Sequence, residues 1–384
     1  MITALSDTEL ILIIVGVFYL SECIFWLPET AVTLTSAFGK LRLATSPVFL
    51  RRTNSQAAIL SLFPWSRSLV AEDWPVAVSP SGISILFGPH AGHFIAFEDL
   101  QSVEAEKHSL RLNQCSIRYA TSSAALQIAT LLQTLKTSTV DERASLIRSA
   151  MQSRFSLSDF SARLENVERF TDSLRTISLF MFLWVFGYGP LLYYTVELRP
   201  GLLFRYFAPL GILWLSGVVL FAIAQRKLLT NSSSEQTGRV ATLCFSPAAV
   251  MRAAHAITHE AFSGFDPSAV AVSILHPKQL SETLSQRLRN LLYPPSSDDP
   301  NESHSFNTSC EWYNELQLTT LQEMLTSADI AVDELLNPPI ADYGALSWCP
   351  RCLAQYTFSS GVCFDCRGVS LQSFETDESD PAPA

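Results

Sequence analysis

The chain has 384 residues, of which 48% are hydrophobic and only 16% charged, with 24 Phe and 7 Trp. So much apolar material argues against one compact soluble core and needs a second place to go. A net charge of −10 argues against broad nucleic-acid binding, which needs a Lys/Arg excess on the contact surface.

Residues 1–9 are polar and acidic and read as an external N-terminus. The first long apolar run, residues 10–27 (LILIIVGVFYLSECIFWL), has the length needed to cross a hydrocarbon layer of about 30 Å. Its acidic start and the bulky Phe25-Trp26-Leu27 do not suit a cleaved secretory signal, so the segment is expected to stay as a first transmembrane helix. Glu22 lies toward its end, where a carboxylate either caps and pairs at the interface or serves a functional role in the membrane.

Residues 28–137 read as a β domain. Short alternating stretches up to about Trp65 are followed by clearer strands from Pro75, Ile83, His93, Ser102, Ser109 and Cys115, with turns at Pro80-Ser81-Gly82 and Phe97-Glu98-Asp99-Leu100. Thr121 or Ser122 then caps an amphipathic helix reaching about Leu135. Strands in series closed by one helix, from about Trp74 to Lys136, resemble the bacterial pleckstrin-homology-like (PH-like) fold. That resemblance implies a binding platform for lipid headgroups, peptides or oligomer partners; it carries over no binding residue. Another small β topology fits the same pattern. His90 and His93 flank a Gly-Pro-His-Ala-Gly-His turn and read as loop residues, lacking a third ligand nearby.

A helical connector (138–176) leads to a second span, 177–196, an external loop at 197–205 and a third span, 206–225. Gly187, Gly189, Pro190 and Pro209 predict kinks in this hairpin. Basic residues (Lys40, Arg42, Arg51, Arg52, Arg163, Arg169, Arg175, Arg226 and Lys227) collect on one side of the spans. The expectation is therefore a multi-pass protein of the inner (plasma) membrane with its N-terminus outside and its C-terminus cytoplasmic.

A polar linker (226–238) leads into a cytoplasmic helical region (239–340). Helices are expected from Ser246-Pro247 to Phe262, from Pro277 to Leu292 and from Leu318 to Leu336, with a mobile loop at 293–309. His255 and His259 stand one turn apart, but Glu260 lies outside the pair. The zinc-peptidase order His-Glu-x-x-His is thus absent, and the group reads as a solvated helix face.

The most specific pattern is Cys349-Pro350-Arg351-Cys352, then ten residues, then Cys363-Phe364-Asp365-Cys366. Each Cys-x-x-Cys turns two thiolates toward one point, and two such knuckles give the tetrahedral Cys₄ set of structural Zn²⁺. Residues 346–371, with Gly368 two residues after Cys366, resemble the bacterial zinc-ribbon family, over about one-fifteenth of the chain. Arg351 and Arg367 are its only basic residues, which does not suit nucleic acid. Cys23, Cys115, Cys244 and Cys310 are scattered and read as packed thiols. The acidic, Pro/Ala-rich residues 372–384 read as a disordered tail.

Together these readings give an integral membrane α+β protein: three transmembrane helices, a cytoplasmic antiparallel β domain closed by a helix, a helical C-terminal region and a zinc ribbon. The expected role is a membrane-anchored binding or scaffolding protein and not an enzyme. Its expected contacts are membrane lipid and a protein partner, without nucleic acid, and a homo-oligomer is compatible with it. The alternative is a membrane enzyme or transporter subunit using Glu22 and the kinked hairpin.

Overall fold

The computed structural model describes residues 6, 9–10, 13–20, 48–49, 57–61, 68–119, 121–195, 200–228, 257, 260–274, 277–294, 303–366 and 368–374. In chain order these hold the helical residues 13–20 (α1) and the strands β1 (Val48–Phe49), β2 (Ala57–Ser61) and β3 (Ser68–Glu72). Six strands follow: β4 (Val76–Val78), β5 (Gly82–Ile85), β6 (Phe94–Ala96), β7 (Val103–Glu106), β8 (Ser109–Leu112) and β9 (Cys115–Arg118). Next come helices α2 (Ser122–Thr137), α3 (Val140–Phe155) and α4 (Leu157–Phe182), a π-helical turn (Leu183–Tyr188), α5 (Gly189–Thr195) and α6 (Pro200–Leu228). The last part holds α7 (Pro267–Ile274), α8 (Pro277–Leu292), α9 (His304–Ser327), α10 (Val332–Leu335), β10 (Ser347–Trp348), β11 (Gln355–Tyr356) and β12 (Gln372–Ser373). The chain divides into two compact units, the first comprising 1–72, 120–124 and 158–264 and the second 73–119, 125–157 and 265–384.

The first unit holds the apolar helices. Phe18 of α1 meets Tyr206 and Phe207 of α6 edge-on at 6.5 and 5.2 Å, and Tyr19 meets Phe186 of the π turn at 5.4 Å. Leu174, Met181, Val185, Tyr206, Leu210 and Phe221 are buried in one apolar cluster. The three segments expected to span the membrane therefore pack against one another. The kink expected at Gly187, Gly189 and Pro190 takes the form of the π turn. Pro190 offers no N–H to the carbonyl one α-turn back, and the Gly189 N–H reaches five residues back to the Trp184 carbonyl. Trp184 donates its indole N–H to the Tyr206 carbonyl at 3.0 Å, and the Tyr206 ring lies so close to Gly189 that an added Cβ would stand 3.1 Å from its hydroxyl.

Among the described residues one helix, Phe204–Leu228, is long and apolar enough to cross a membrane; its mean hydropathy is 2.2 and only 22% of its most apolar window is buried. A core helix of a soluble protein would be mostly covered. Val17, Leu191, Phe204, Ile212 and Leu215 are all exposed on the same helices. The second expected span is interrupted by the π turn, leaving Leu179–Leu192 as a shorter apolar helix, and residues 21–27 of the first, with Glu22 and Cys23, lie outside the described residues. Of the three expected spans, one is thus shown by length and composition among the described residues.

The second unit is α+β. Its strands form two antiparallel three-stranded meanders, β4-β5-β6 and β7-β8-β9, in the succession the alternation predicts. The Pro80-Ser81-Gly82 turn is closed by reciprocal backbone hydrogen bonds between Ser79 and Gly82. At Gly82 a Cβ would lie 2.4 Å from the Ile95 carbonyl, so β5 and β6 approach as closely as they do only because that residue has no side chain. Asn113, at φ 53°, accepts from the Gln101 and Ser102 amides and donates to the Asp99 carbonyl, which fixes the entry to β7. Val76, Val78, Ile83, Ile85, Leu110 and Ile117 from the strands and Ile128, Ala129, Leu132 and Leu135 from α2 are buried.

The connector is two helices. After the Thr139 N-cap and its capping-box partner Glu142, α3 stops at Ser156, whose extended conformation breaks the run before α4. The third C-terminal helix differs from expectation: α9 begins at His304, with the Ser303 side chain accepting from Phe306 N–H, and stops at Ala328. The last part of the expected loop is therefore helix, and the expected end at Leu336 is a separate short turn. Left-handed Asp329 (φ 56°) separates the two. Ala77, Met151, Phe155, Leu284, Leu288, Tyr313 and Leu321 make the core that joins β4 to α3, α8 and α9. The linker beyond 228, the helix start at Ser246 with Cys244, residues 295–302, Arg367 and the tail from 375 lie outside the described residues.

Candidate metal centre

The central strand β10 of the C-terminal three-stranded sheet runs into the first knuckle, with Ser347 opposite Tyr356 and Trp348 opposite Gln355. The Cys349 N–H bonds to the Ala354 carbonyl and the Leu353 N–H to the Cys349 carbonyl, curling the chain so that Cys349 and Cys352 share one side. The second knuckle is closed by Cys363 N–H to the Val369 carbonyl, with Gly368 in the left-handed region at φ 84°.

The sulfurs of Cys349, Cys352, Cys363 and Cys366 all lie within 4.8 Å of one another, and Cys352 Sγ stands 3.6 Å from Cys363 Sγ. Tetrahedral Zn²⁺ with Zn–S distances of about 2.3 Å needs sulfurs about 3.8 Å apart. All four cysteines are free, and the sulfur separations are well beyond a disulfide bond of about 2.05 Å. The donor set therefore suits a metal ion such as zinc. Cys349 and Cys363 are buried, so the inner side of the sulfur cluster is covered by protein.

Electrostatics of the metal-free cluster single out Cys363. Burial pushes its thiol up, but the Tyr356 hydroxyl and the Cys366 N–H outweigh that and bring its pKa down to about 7. Burial and the neighbouring sulfurs push Cys366 up, and burial raises Cys352. A thiolate is the form that binds metal, and the lowered value favours that form at Cys363.

The ribbon is seated on helix α8. Arg289, almost fully buried, donates Nη1 to the Pro350 carbonyl at 2.9 Å, Nη2 to the Asn337 carbonyl at 2.7 Å and Nε to Ser285 Oγ at 3.2 Å, and its guanidinium lies 5.4 Å from the Trp348 ring centre. Arg351 donates to Asn290 at 3.3 Å, so this basic side chain is engaged within the protein. Nothing in the Cys pattern announces Arg289, and the sequence carries no other signal: on α8 it stands one turn after Ser285, off the stripe of Leu280, Leu284, Leu288 and Leu291.

A second group was not legible in the sequence. Arg287 makes a bidentate pair with Asp73 at 2.7 and 2.8 Å and stands 3.6 Å from Asp266, which lies 3.9 Å from Arg154. Arg154 lies over Trp74 at 4.5 Å, and Trp74 stacks on Tyr313. Burial works against the Arg287 charge, yet Asp73 and Asp266 outweigh it and hold its pKa above the ordinary value. Two guanidinium and two carboxylate groups balance, so this is an internal ion network fixing β4, α3, α7, α8 and α9 in one arrangement.

His90 and His93 face each other edge-on at 6.0 Å, and among the described residues the four cysteines are the one cluster of three or more metal-ligating side chains. Glu260 is structural. Its carboxylate accepts from Ser122 Oγ at 3.0 Å and Ser123 N–H at 2.8 Å, capping α2. Its neighbours His255 and His259 lie outside the described residues. Cys115 and Cys310 are half-buried. No protein-family model, curated protein or solved structure matches this chain.

Proposed function

We propose that this chain is an inner-membrane protein with three spans, its N-terminus outside and both larger segments cytoplasmic, and that it docks a protein partner and performs no chemistry itself. Structural Zn²⁺ on Cys349, Cys352, Cys363 and Cys366 holds the ribbon in shape for docking. The PH-like β domain forms the rest of the platform.

The observation that carries the reading is the four-sulfur cluster: it fills a tetrahedral ion and leaves no position for water or substrate, as structural rather than catalytic zinc requires. The mutual packing of the three apolar helices and their exposed outer side chains support the membrane part. The basic flanks support the orientation. Reducing cytoplasmic surroundings suit free thiols.

The test is cross-linking in native membranes followed by detergent purification and metal analysis. The expected result is a chain extracted only by detergent, one zinc per chain and a reproducible cross-linked protein. A chain that stays dissolved without detergent, or holds no stoichiometric zinc, overturns the proposal. Cross-links to copies of itself alone would shift the reading to a self-assembling membrane subunit.

A further inference from the structure

Resting on the proposed zinc site, we infer that Tyr356 is a positioning residue of the metal centre: its hydroxyl donates a hydrogen bond to the metal-bound thiolate of Cys363, tightening zinc binding and lowering the reactivity of that sulfur.

Tyr356 Oη lies 3.1 Å from Cys363 Sγ. A metal-bound thiolate carries no proton, so in the loaded site the hydroxyl is the only possible donor of the two. The tyrosine belongs to the first hairpin and Cys363 opens the second knuckle, so this bond crosses between the two halves that the ion must hold together. Backbone pairing opposite Ser347 and the Leu346 N–H to Tyr356 carbonyl bond at 2.8 Å fix where the ring starts. Phe358 and Phe364 then flank it at 5.1 and 6.2 Å between ring centres. The donor is thus held in place before the metal arrives.

The chemical need follows from charge. Four thiolates around one Zn²⁺ leave two excess negative charges, and donors to the sulfurs spread that charge and set how basic each ligand is. The Cys366 N–H supplies one donor to Cys363; Tyr356 supplies a second from a side chain, which a single substitution can remove.

The experiment uses the full chain in detergent and compares wild type with Tyr356→Phe, which keeps the ring, and with Phe358→Leu, which keeps the hydroxyl but alters its support. Zinc affinity is read by competition with a chromophoric chelator. The sulfur-to-metal charge-transfer band is read with Co²⁺ in the site, and alkylation of the zinc-loaded protein by N-ethylmaleimide gives sulfur reactivity. The expected result for Tyr356→Phe is zinc binding about 10- to 100-fold weaker, a Co²⁺ band moved to lower energy and faster alkylation at Cys363, with Phe358→Leu less affected in the band. Unchanged affinity in Tyr356→Phe overturns the inference. So does weaker binding with an unmoved band and unchanged alkylation, since lost packing alone would do that. A wild-type chain that takes up no zinc overturns the parent reading and this inference together, whereas a wild type that binds zinc like Tyr356→Phe removes this inference alone.

Discussion

Arg289 of α8 and Pro350 of the first knuckle are joined by a 2.9 Å hydrogen bond from a buried guanidinium to a backbone carbonyl. The ribbon is therefore built into the second unit through a charged side chain that has no other place to go. Arg289→Ala removes its donors to the Pro350 and Asn337 carbonyls and leaves a void beside Trp348. The expected loss is about 2–4 kcal/mol of unfolding free energy, from charged hydrogen bonds and truncated packing. Arg289→Lys should recover little, because an ammonium cannot serve two carbonyls and an aromatic face in one plane. Denaturant unfolding followed by Trp fluorescence measures both; a loss below about 0.5 kcal/mol would mean that the helix seat is idle.

Removing the metal with a strong chelator should unfold the knuckles while most helical circular dichroism remains, because α2, α3, α8 and α9 have their own apolar core. Four thiols per chain should become newly alkylated, and Trp348, next to Cys349, should report the change in its emission. Acidification should release the ion as the thiolates take up protons.

Gly82→Ala places a Cβ 2.4 Å from the Ile95 carbonyl, a contact that only backbone movement can relieve. The cost should be about 1–3 kcal/mol, seen as an earlier urea midpoint with an unchanged slope. A neutral result would require β5 and β6 to separate without penalty.

Glu142 accepts from the Thr139 N–H at 2.9 Å, and that backbone donor, followed by the Thr139 side chain, lowers its pKa below the ordinary carboxylate value. A lowered folded value means that its contribution is complete above the unfolded value and disappears as pH falls through the folded one. Amide protection factors at the start of α3, which correct for the intrinsic slowing of exchange in acid, should therefore fall as pH drops in the wild type, and Glu142→Gln should flatten that dependence.

Gly189→Val should separate α5 from α6, because an added Cβ would stand 3.1 Å from the Tyr206 hydroxyl and a branched side chain fills the space the ring occupies. Gly189→Ala needs only a few tenths of an ångström of movement. Thermal stability in detergent should rank wild type, then Ala, then Val, and equal values for all three would refute the close approach.

The strands β4 to β9 and helix α8 were legible because alternation, Gly/Pro turns and an N-terminal Pro277 are local signals. The four cysteines were legible because knuckle spacing is itself the geometry. Helix α9 was legible only from Leu318 on: its buried face includes Ser309, Gln317 and Thr320 along with Phe306 and Tyr313, so no apolar stripe marks its first half, and packing against the sheet decides. The network of Asp73, Arg154, Asp266 and Arg287 is equally silent, since its members lie up to 214 positions apart in the chain and become partners only on folding. Glu260 reads as a solvated acid in the sequence and proves to be a cap, because the groups that donate to it, on Ser122 and Ser123, are remote in the chain.

The π turn at Leu183–Tyr188 also sets a rotational offset for everything that follows it in the hairpin. A π turn accommodates one more residue than an α-helix would, and each residue of an α-helix advances the azimuth by about 100°. Relative to the same residues wound as a continuous α-helix, every side chain of α5 is therefore turned by about 100° to a different compass bearing. The direction in which Leu191 and Leu192 point is thus set by that one surplus residue as much as by their own identity.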